Sequence, residues 1–517
     1  MNRTILFLLS LLICGRICAA EPELVSLPMQ GSGKVVIKLM FRNGSICDPV
    51  GKEGLTQLTA SLITDGSTTT RSTAQIAKTM YPWAARMGSF VDKEVCILTF
   101  EVPALYTESF TEIIKDVLFH PAFDQNDIDR IKSNQKNYVD EVIRQSSDEE
   151  YGKKYLEYVL FKGTPYQHLK QGTSARLASI TREDVVNHYA RYFTRNNVMV
   201  GVAGEIPEYF DLKFLETMKE LSDSVPMIPQ DINPVQRTGQ NVTIISKKGA
   251  LGSAISAGFR MDINRSSQKF AALMVANSWL GEHRKSYSRL YQKIREARSM
   301  NYGDYTYVEW YENGGGNMLP PAGTPRNLNY FSIWLRPVQT AKGLKSQYKE
   351  LDSIEVGHAP FAMRMALREF NDLVEKGMNT KEFESTREFL RSYSKLYVEG
   401  MSKKLGYAMD SRFYGRIDWI SELDDELSKL TLDQVNNLMK SFWSGGNMEW
   451  VIVTDESEVK SLYFALLENR YAPISYSNGL KSSLTPEILQ EDEVVNNYPF
   501  KPLDVRVVES QNTFKGE

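Results

Sequence analysis

The sequence predicts an α+β fold in two homologous domains, each with helices packed on a mostly antiparallel sheet, and three observations carry this. At 517 residues the chain is too long for one hydrophobic core and suits two domains of about 200 to 270 residues. Strand-like and helical stretches mix without the regular alternation of a parallel α/β sheet. The third observation is an internal echo. Ile180-Thr181-Arg182-Glu183-Asp184-Val185 opens a helix on a Thr-x-x-Asp capping box and leads through Tyr189, Tyr192 and Phe193 to a strand at Val198–Ala203. Leu430-Thr431-Leu432-Asp433-Gln434-Val435 leads in the same way to Phe442 and Trp443 and then to Met448, Trp450, Val451, Ile452 and Val453, with Asn197 and Asn447 at matching places. Phe41-Arg42 and Phe259-Arg260, each ahead of a helix, repeat in the same order. Two such units recurring in sequence imply that the halves share a fold.

Along the chain, Arg3, the apolar run Ile5–Ile13 and the small residues Ala19 and Ala20 before Glu21 form a secretory signal over residues 1–20, too short in its apolar part to span a bilayer. The expected location is therefore the periplasm. A lipid anchor on Cys14 or Cys18 is the weaker alternative, because Ile13 and Ile17 stand where small residues are usual. The expected domains are 21–235 and 236–517, joined near Val225–Gly239, where Pro226, Pro229 and Pro234 interrupt any periodicity. A hydrophobic content of 42% and an aromatic content of 11% suffice for two cores, while a net charge of −3 without a long basic run gives no reason to expect nucleic acid. Peptides or proteins are the expected partners, and no later segment is apolar enough to cross a membrane. Once the signal is removed only Cys47 and Cys96 remain; a disulfide and two buried thiols are both open.

Val35–Arg42 is apolar and β-branched and predicts a strand. Gly54–Gly66 follows as a helix, with Leu55, Leu58 and Leu62 on one face and a glycine at each end. Ser72 and Thr73 cap a helix running towards Met87; Glu94–Val102 is a strand ended by Pro103; Tyr106–Phe119 and a long charged run from Gln125 to about Phe161 are helical. In the second half, helices are expected at Ser267–Leu280, Phe361–Lys376 and Thr380–Met401, and strands at Tyr305–Tyr311 and Tyr330–Leu335. Between those strands Asn313–Pro325 is a surface loop or a lid; its glycines make no phosphate loop, since no Gly-Lys-Ser/Thr follows. Leu480–Glu517 is polar and extended, with a strand at Leu503–Val508.

A helical zinc site needs two imidazoles one turn apart and a carboxylate to activate the bound water. The five histidines, His120, His168, His188, His283 and His358, contain no pair three or four residues apart. Yet the frame around Gly54 resembles that of the insulinase-type (pitrilysin-like, M16) peptidases, whose helix opens Gly-Leu-x-His-x-x-Glu-His. The two histidine positions fall on Gln57 and Ser61 and the glutamate position on Ala60, so the resemblance implies a kept scaffold and a lost metal site. A third family ligand, a glutamate on the long helix, would lie about Asp140 or Glu141. The stretch Ser288–Tyr305 is similar to the family pattern Arg-Leu-x-x-x-Ile-Arg-Glu-x-Arg-Gly-x-x-Tyr, whose last Arg and Tyr contact substrate; here they are Arg298 and Tyr302, with Ser299 in place of the glycine. Their four-residue spacing would put both on one helix face, where guanidinium and phenol donors can hold a peptide carbonyl.

The resemblance thus implies a non-catalytic, substrate-binding subunit of a two-chain zinc peptidase. This chain would bind no cofactor, and zinc would sit in a His-x-x-Glu-His partner. About 500 residues in two domains is half of what a complete clamshell of that family needs. Self-association, and a catalytically inactive structural or chaperone-like protein that binds peptides, are the alternatives.

Overall fold

The computed structural model describes residues 22–230, 232–235, 237–309, 319–442 and 446–514. The signal segment and residues 313–318 of the glycine-rich loop lie outside the described residues.

The first half contains β1 (Glu23–Pro28), β2 (Lys34–Phe41), α1 (Leu55–Asp65), α2 (Thr73–Met80), β3 (Arg86–Val91), β4 (Cys96–Pro103), α3 (Gln125–Asn137), α4 (Asp148–Leu160) and β5 (Val198–Gly204). The second contains β6 (Gln240–Ser246), β7 (Ser253–Met261), α5 (Phe270–Gly281), β8 (Asp304–Tyr307), β9 (Asn329–Val338), α6 (Met401–Phe413), β10 (Met448–Thr454), α7 (Pro486–Asn496) and β11 (Asp504–Glu509). The first sheet is ordered β1-β5-β2-β4-β3 and the second β6-β10-β7-β9-β8, with β11 added outside β6. In both, the first and last strands of the repeat pair in parallel and the others of the repeat antiparallel, while the added β11 pairs with β6 in parallel. The echo read from the sequence is therefore a duplicated topology. The expected capping box of Thr181 with Asp184 forms, and the structure adds a matching one at Thr431 and Gln434, each side chain bonding the other's backbone N–H.

The halves exchange helices. Helix α4, from the first half, lies on β7 and β10 of the second sheet, while α6, from the second half, lies on β1, β2 and β5 of the first. Met401, Leu405 and Met409 of α6 join Val36, Met40, Ile97 and Met199 in one apolar cluster, and Leu156 and Val159 of α4 cluster with Ala254 and Val451. Each sheet is thus covered on one face by its own helices and on the other by a borrowed one, which gives both faces of its strands the apolar lining the sequence supplies.

Several expectations are corrected. The helix expected to reach Met87 stops at Met80, and Arg86–Val91 forms edge strand β3. The long helix breaks: Tyr138–Ser146 is wound as a π-helix, and Ser147 caps a new helix at Asp148. The Thr380–Met401 helix ends at Tyr397. The C-terminal stretch is not merely extended: it contains a helix at Asn478–Ser483 and α7 before β11. Residues 319–325 of the loop are not a free surface: Tyr407 donates to the Pro320 carbonyl at 2.8 Å and the Gly323 N–H donates to Asp410 at 2.8 Å. Cys47 and Cys96 are both free and buried. Among the described residues no helix is long and apolar enough to cross a membrane.

A buried polar seam joins the halves. Arg326 donates twice to Asp92, at 2.6 Å each, and to Glu157 at 2.8 Å; all three side chains are within the interior. Beside it, Asn327 donates to Glu94 from its backbone N–H at 2.5 Å and its side-chain amide at 2.6 Å. Burial pushes the Glu94 carboxyl up to about 7 from an ordinary 4.5, despite the Asn327 hydrogen bonds that pull it down. Because the folded state holds this proton more tightly than the unfolded chain does, stability should be full below about pH 4.5 and decline as the pH rises through about 7, by on the order of 2 to 3 kcal/mol. Urea melts between about pH 5 and 7.5 test this: the Glu94→Gln variant should show a flatter dependence than the parent, and parallel curves would refute it.

Candidate functional site

Helix α1 is held firmly at its start. Gly54, at φ 100°, is its N-cap residue, and a Cβ there would meet the Gln171 carbonyl at 2.7 Å. Asp48 accepts from the backbone N–H groups of Gly54 (2.8 Å) and Thr56 (2.7 Å), supplying the carboxylate that a helix N-terminus favours. Leu55, Leu58 and Leu62 are buried as expected, and Ala60 belongs to the same core. Gln57 and Ser61 lie on the partly exposed side, where the Gln57 amide donates to the Ser61 hydroxyl at 3.1 Å.

These two residues line a cavity of ≈ 1030 Å³. Its other walls come from α2, from Met87, Ser89 and Phe90 of β3, from Asn134 and Gln135 of α3, and from Lys170 and Gln171. The amide of Gln135 ties α3 to α1 by donating to the carbonyls of Gly54 (3.2 Å) and Gln171 (3.1 Å). Asp140 and Glu141 do not face α1. They line a second crevice of ≈ 1270 Å³ with residues of the β6–β7 turn and the C-terminal segment, and Asp140 accepts from Ser174 at 2.9 Å. The π-helical winding between Tyr138 and Ser146 shifts the register that a regular helix would have given them.

The donor set at the cradle does not fit zinc. An amide bonded to a hydroxyl, with a methyl group at the third position, offers neither imidazole nor carboxylate. Among the described residues no three His, Cys, Asp or Glu side chains converge as a metal site.

Arg298 and Tyr302 do not share a helix face. The π-helical turn at Tyr291–Glu296 ends before them, and Ser299 sits at φ 50°, a left-handed position that favours glycine. Arg298 is buried, donating from Nε to Asp492 at 2.7 Å, from Nη2 to Glu491 at 2.9 Å and from Nη1 to the Lys293 carbonyl at 2.5 Å. Burial opposes its charge, but Asp492 and Glu491 hold it above its ordinary range. Tyr302 is 77% exposed. The carboxylates that engage Arg298 sit on α7, in the tail read as extended, so no local signal in the sequence announced them.

Comparison with known proteins comes to the same frame. Residues 25–168 match the model described as insulinase (peptidase family M16), and residues 179–390 match the one described as peptidase M16 inactive domain. The chain is 23% identical over 430 residues to the non-peptidase homolog YmxG of Helicobacter pylori, covering 82% of this chain and 90% of that one. It is 21% identical over 382 residues to a protein named uncharacterized zinc protease YmxG of Bacillus subtilis, covering 73% and 83%. Among solved structures, a peptidase M16 inactive domain from Pseudomonas fluorescens superposes with a TM-score of 0.70 at 17% identity, over 84% of this chain and 96% of that one. The periplasmic protease PqqL of Escherichia coli superposes with a TM-score of 0.62 at 12% identity, over 91% of this chain but 48% of PqqL.

Proposed function

Since the chain belongs to the insulinase (M16) peptidase family, as an inactive homologue, we propose that it is the non-catalytic, peptide-binding subunit of a zinc peptidase whose His-x-x-Glu-His motif lies in a second chain. The observation that carries this is the cradle itself: the scaffold of α1 is intact around Gln57, Ala60 and Ser61, and the groups that would activate water are gone. Among the described residues strand β3 pairs on one side only, with β4, and it borders the cavity over α1. An extended peptide can add to such an edge through main-chain hydrogen bonds while its side chains enter the cavity.

This chain superposes on 48% of PqqL, and in a two-chain arrangement the zinc-bearing partner would bring the other half. A self-paired dimer is the alternative source of that half. Tyr302, exposed near the end of its turn, is then the group to touch a peptide held by the other chain; Arg298 acts as a positioning residue that fixes that turn through α7. The mature protein acts in the periplasm, following the secretory signal read at residues 1–20. The name non-peptidase homolog borne by one relative favours one further reading, an inactive peptide-binding protein that works without a zinc partner.

Metal analysis is the test. After dialysis the purified chain should retain well under one zinc per molecule, because an amide and a hydroxyl replace two imidazoles. One tightly held zinc per chain, lost on Gln57→Ala, would overturn the proposal.

A further inference from the structure

Three arginines from three separate segments ring one aromatic cluster in the second half. Tyr291, Tyr305, Tyr307 and Trp334 pack together there, and the His283 ring lies on Tyr305 at 4.2 Å. Arg284 follows His283 just after α5, at φ 56°, a left-handed backbone that arginine rarely adopts. Arg295 places its guanidinium carbon 4.7 Å from the centre of the Tyr291 ring and donates to the Tyr291 hydroxyl. Arg336, from β9, lies 6.0 Å from the centre of the Trp334 ring. Arg284 is exposed and the other two are half-buried, so solvent reaches all three. Burial raises the Tyr305 phenol, and the charges of Arg336, Arg284 and Arg295 all act against that rise, so their fields meet at one ring.

The carboxyl groups nearby do not neutralise these cations. Glu149 accepts from Arg336 Nε at 3.0 Å, and Glu150 is held by Lys153 at 2.8 Å. Burial pushes Glu282 up to about 8 and Asp304 well above the usual carboxylate range, so neither supplies a full negative charge at neutral pH. Among the described residues Arg284 and Arg295 have no carboxylate partner. A planar guanidinium is matched best by a carboxylate, which accepts two parallel N–H bonds from it.

Tyr302 stands at the rim of the same cluster. Its carbonyl accepts from the Tyr305 hydroxyl at 3.4 Å, and the carbonyl of Gly303 accepts from the Arg336 N–H at 3.1 Å. A peptide that touches the Tyr302 phenol therefore passes beside the arginines.

On the reading that Tyr302 touches the bound peptide, we propose that Arg284, Arg295 and Arg336 form a subsite that selects peptides by a carboxylate, borne by an acidic side chain or by the peptide's C-terminus.

The experiment measures the binding of labelled nonapeptides to the mature chain by fluorescence anisotropy. The peptides share an uncharged Ser/Thr/Val host sequence and a neutral fluorophore. Three are capped at both ends and carry Glu, Gln or Lys at the centre; the fourth carries Gln and a free C-terminal carboxylate. The capped Glu peptide, the free-acid peptide or both should bind at least about tenfold more tightly than the capped Gln and Lys peptides, and which of them does so identifies the source of the carboxylate. Added salt should narrow the gap. Arg284→Asn, which suits the left-handed backbone, and Arg295→Gln should each reduce the preference to under about threefold; either reads the same quantity should the other fail to fold. Lys342→Ala, at an exposed cation outside the cluster, should leave the preference intact. Equal affinities for all four peptides, a preference for Lys, a carboxylate preference that survives both arginine substitutions, or one that falls equally with Lys342→Ala would overturn the subsite while leaving peptide binding intact. If no peptide binds, both this inference and the function it rests on are wrong.

Discussion

Arg326→Ala is expected to destabilise the protein by on the order of 3 to 5 kcal/mol, enough to leave a large fraction unfolded at ambient temperature. The guanidinium contacts both Asp92 and Glu157 at 2.6 to 2.8 Å, and its removal takes the shared donor from two carboxylates in the interior at the junction of the halves. Lys93 approaches Glu157 only at 3.5 Å, and burial lowers its own pKa to about 8 despite the pull of Glu157, so it is a weak substitute. Burial alone would raise Glu157; Lys93 and Arg326 bring it down to about 2, which measures how strongly the seam depends on its cations. Urea unfolding followed by circular dichroism decides the matter. A loss below about 1 kcal/mol would show that the seam relaxes or admits water. Arg326→Met should be milder, because a packed apolar side chain fills the volume, though the stranded carboxylates remain.

Mixed with a zinc-bearing partner, the Tyr302→Phe variant is expected to lower peptide hydrolysis by roughly 10- to 1000-fold, the range for loss of one preorganised donor to a developing oxyanion. The phenol is exposed and no hydrogen bond from it forms in this chain's described contacts, so its removal should leave melting temperature and assembly unchanged. Arg298→Ala should differ in kind. It leaves Asp492 and Glu491 without the donor they share, so any loss of activity should come with a lower melting temperature and with loosening of α7. Full activity of the mixture after Tyr302→Phe would remove Tyr302 from the substrate and favour the partner-free reading.

Much of the fold was legible because it was written twice. The capping box at Thr181 and the matching stretch from Leu430, each followed by aromatic residues and a β-branched strand, marked the same unit in each half before any strand order was known. The α1 frame was legible through glycine punctuation and leucine spacing. What escaped was non-local. Strand β3 carries Gly88 and Ser89 and alternates weakly, so a helix running on from Ser72 absorbed it. The π-helical turn leaves no mark on periodicity until Ser147 breaks it. Arg298 and Tyr302 were paired by spacing alone, which holds only while the helix continues; the left-handed Ser299 separates their directions. The exchange of α4 and α6 between halves lies beyond any local pattern, since amphipathic spacing shows that a helix is covered and not by which sheet.

The most direct test of an inactive peptide-binding subunit is to incubate the purified chain alone with an unstructured peptide in zinc-containing buffer, with and without a chelator. Binding is read by anisotropy and peptide integrity by mass spectrometry. The expected result is saturable binding that the chelator does not change, with the peptide recovered intact. Cleavage by this chain alone that the chelator abolishes would contradict it.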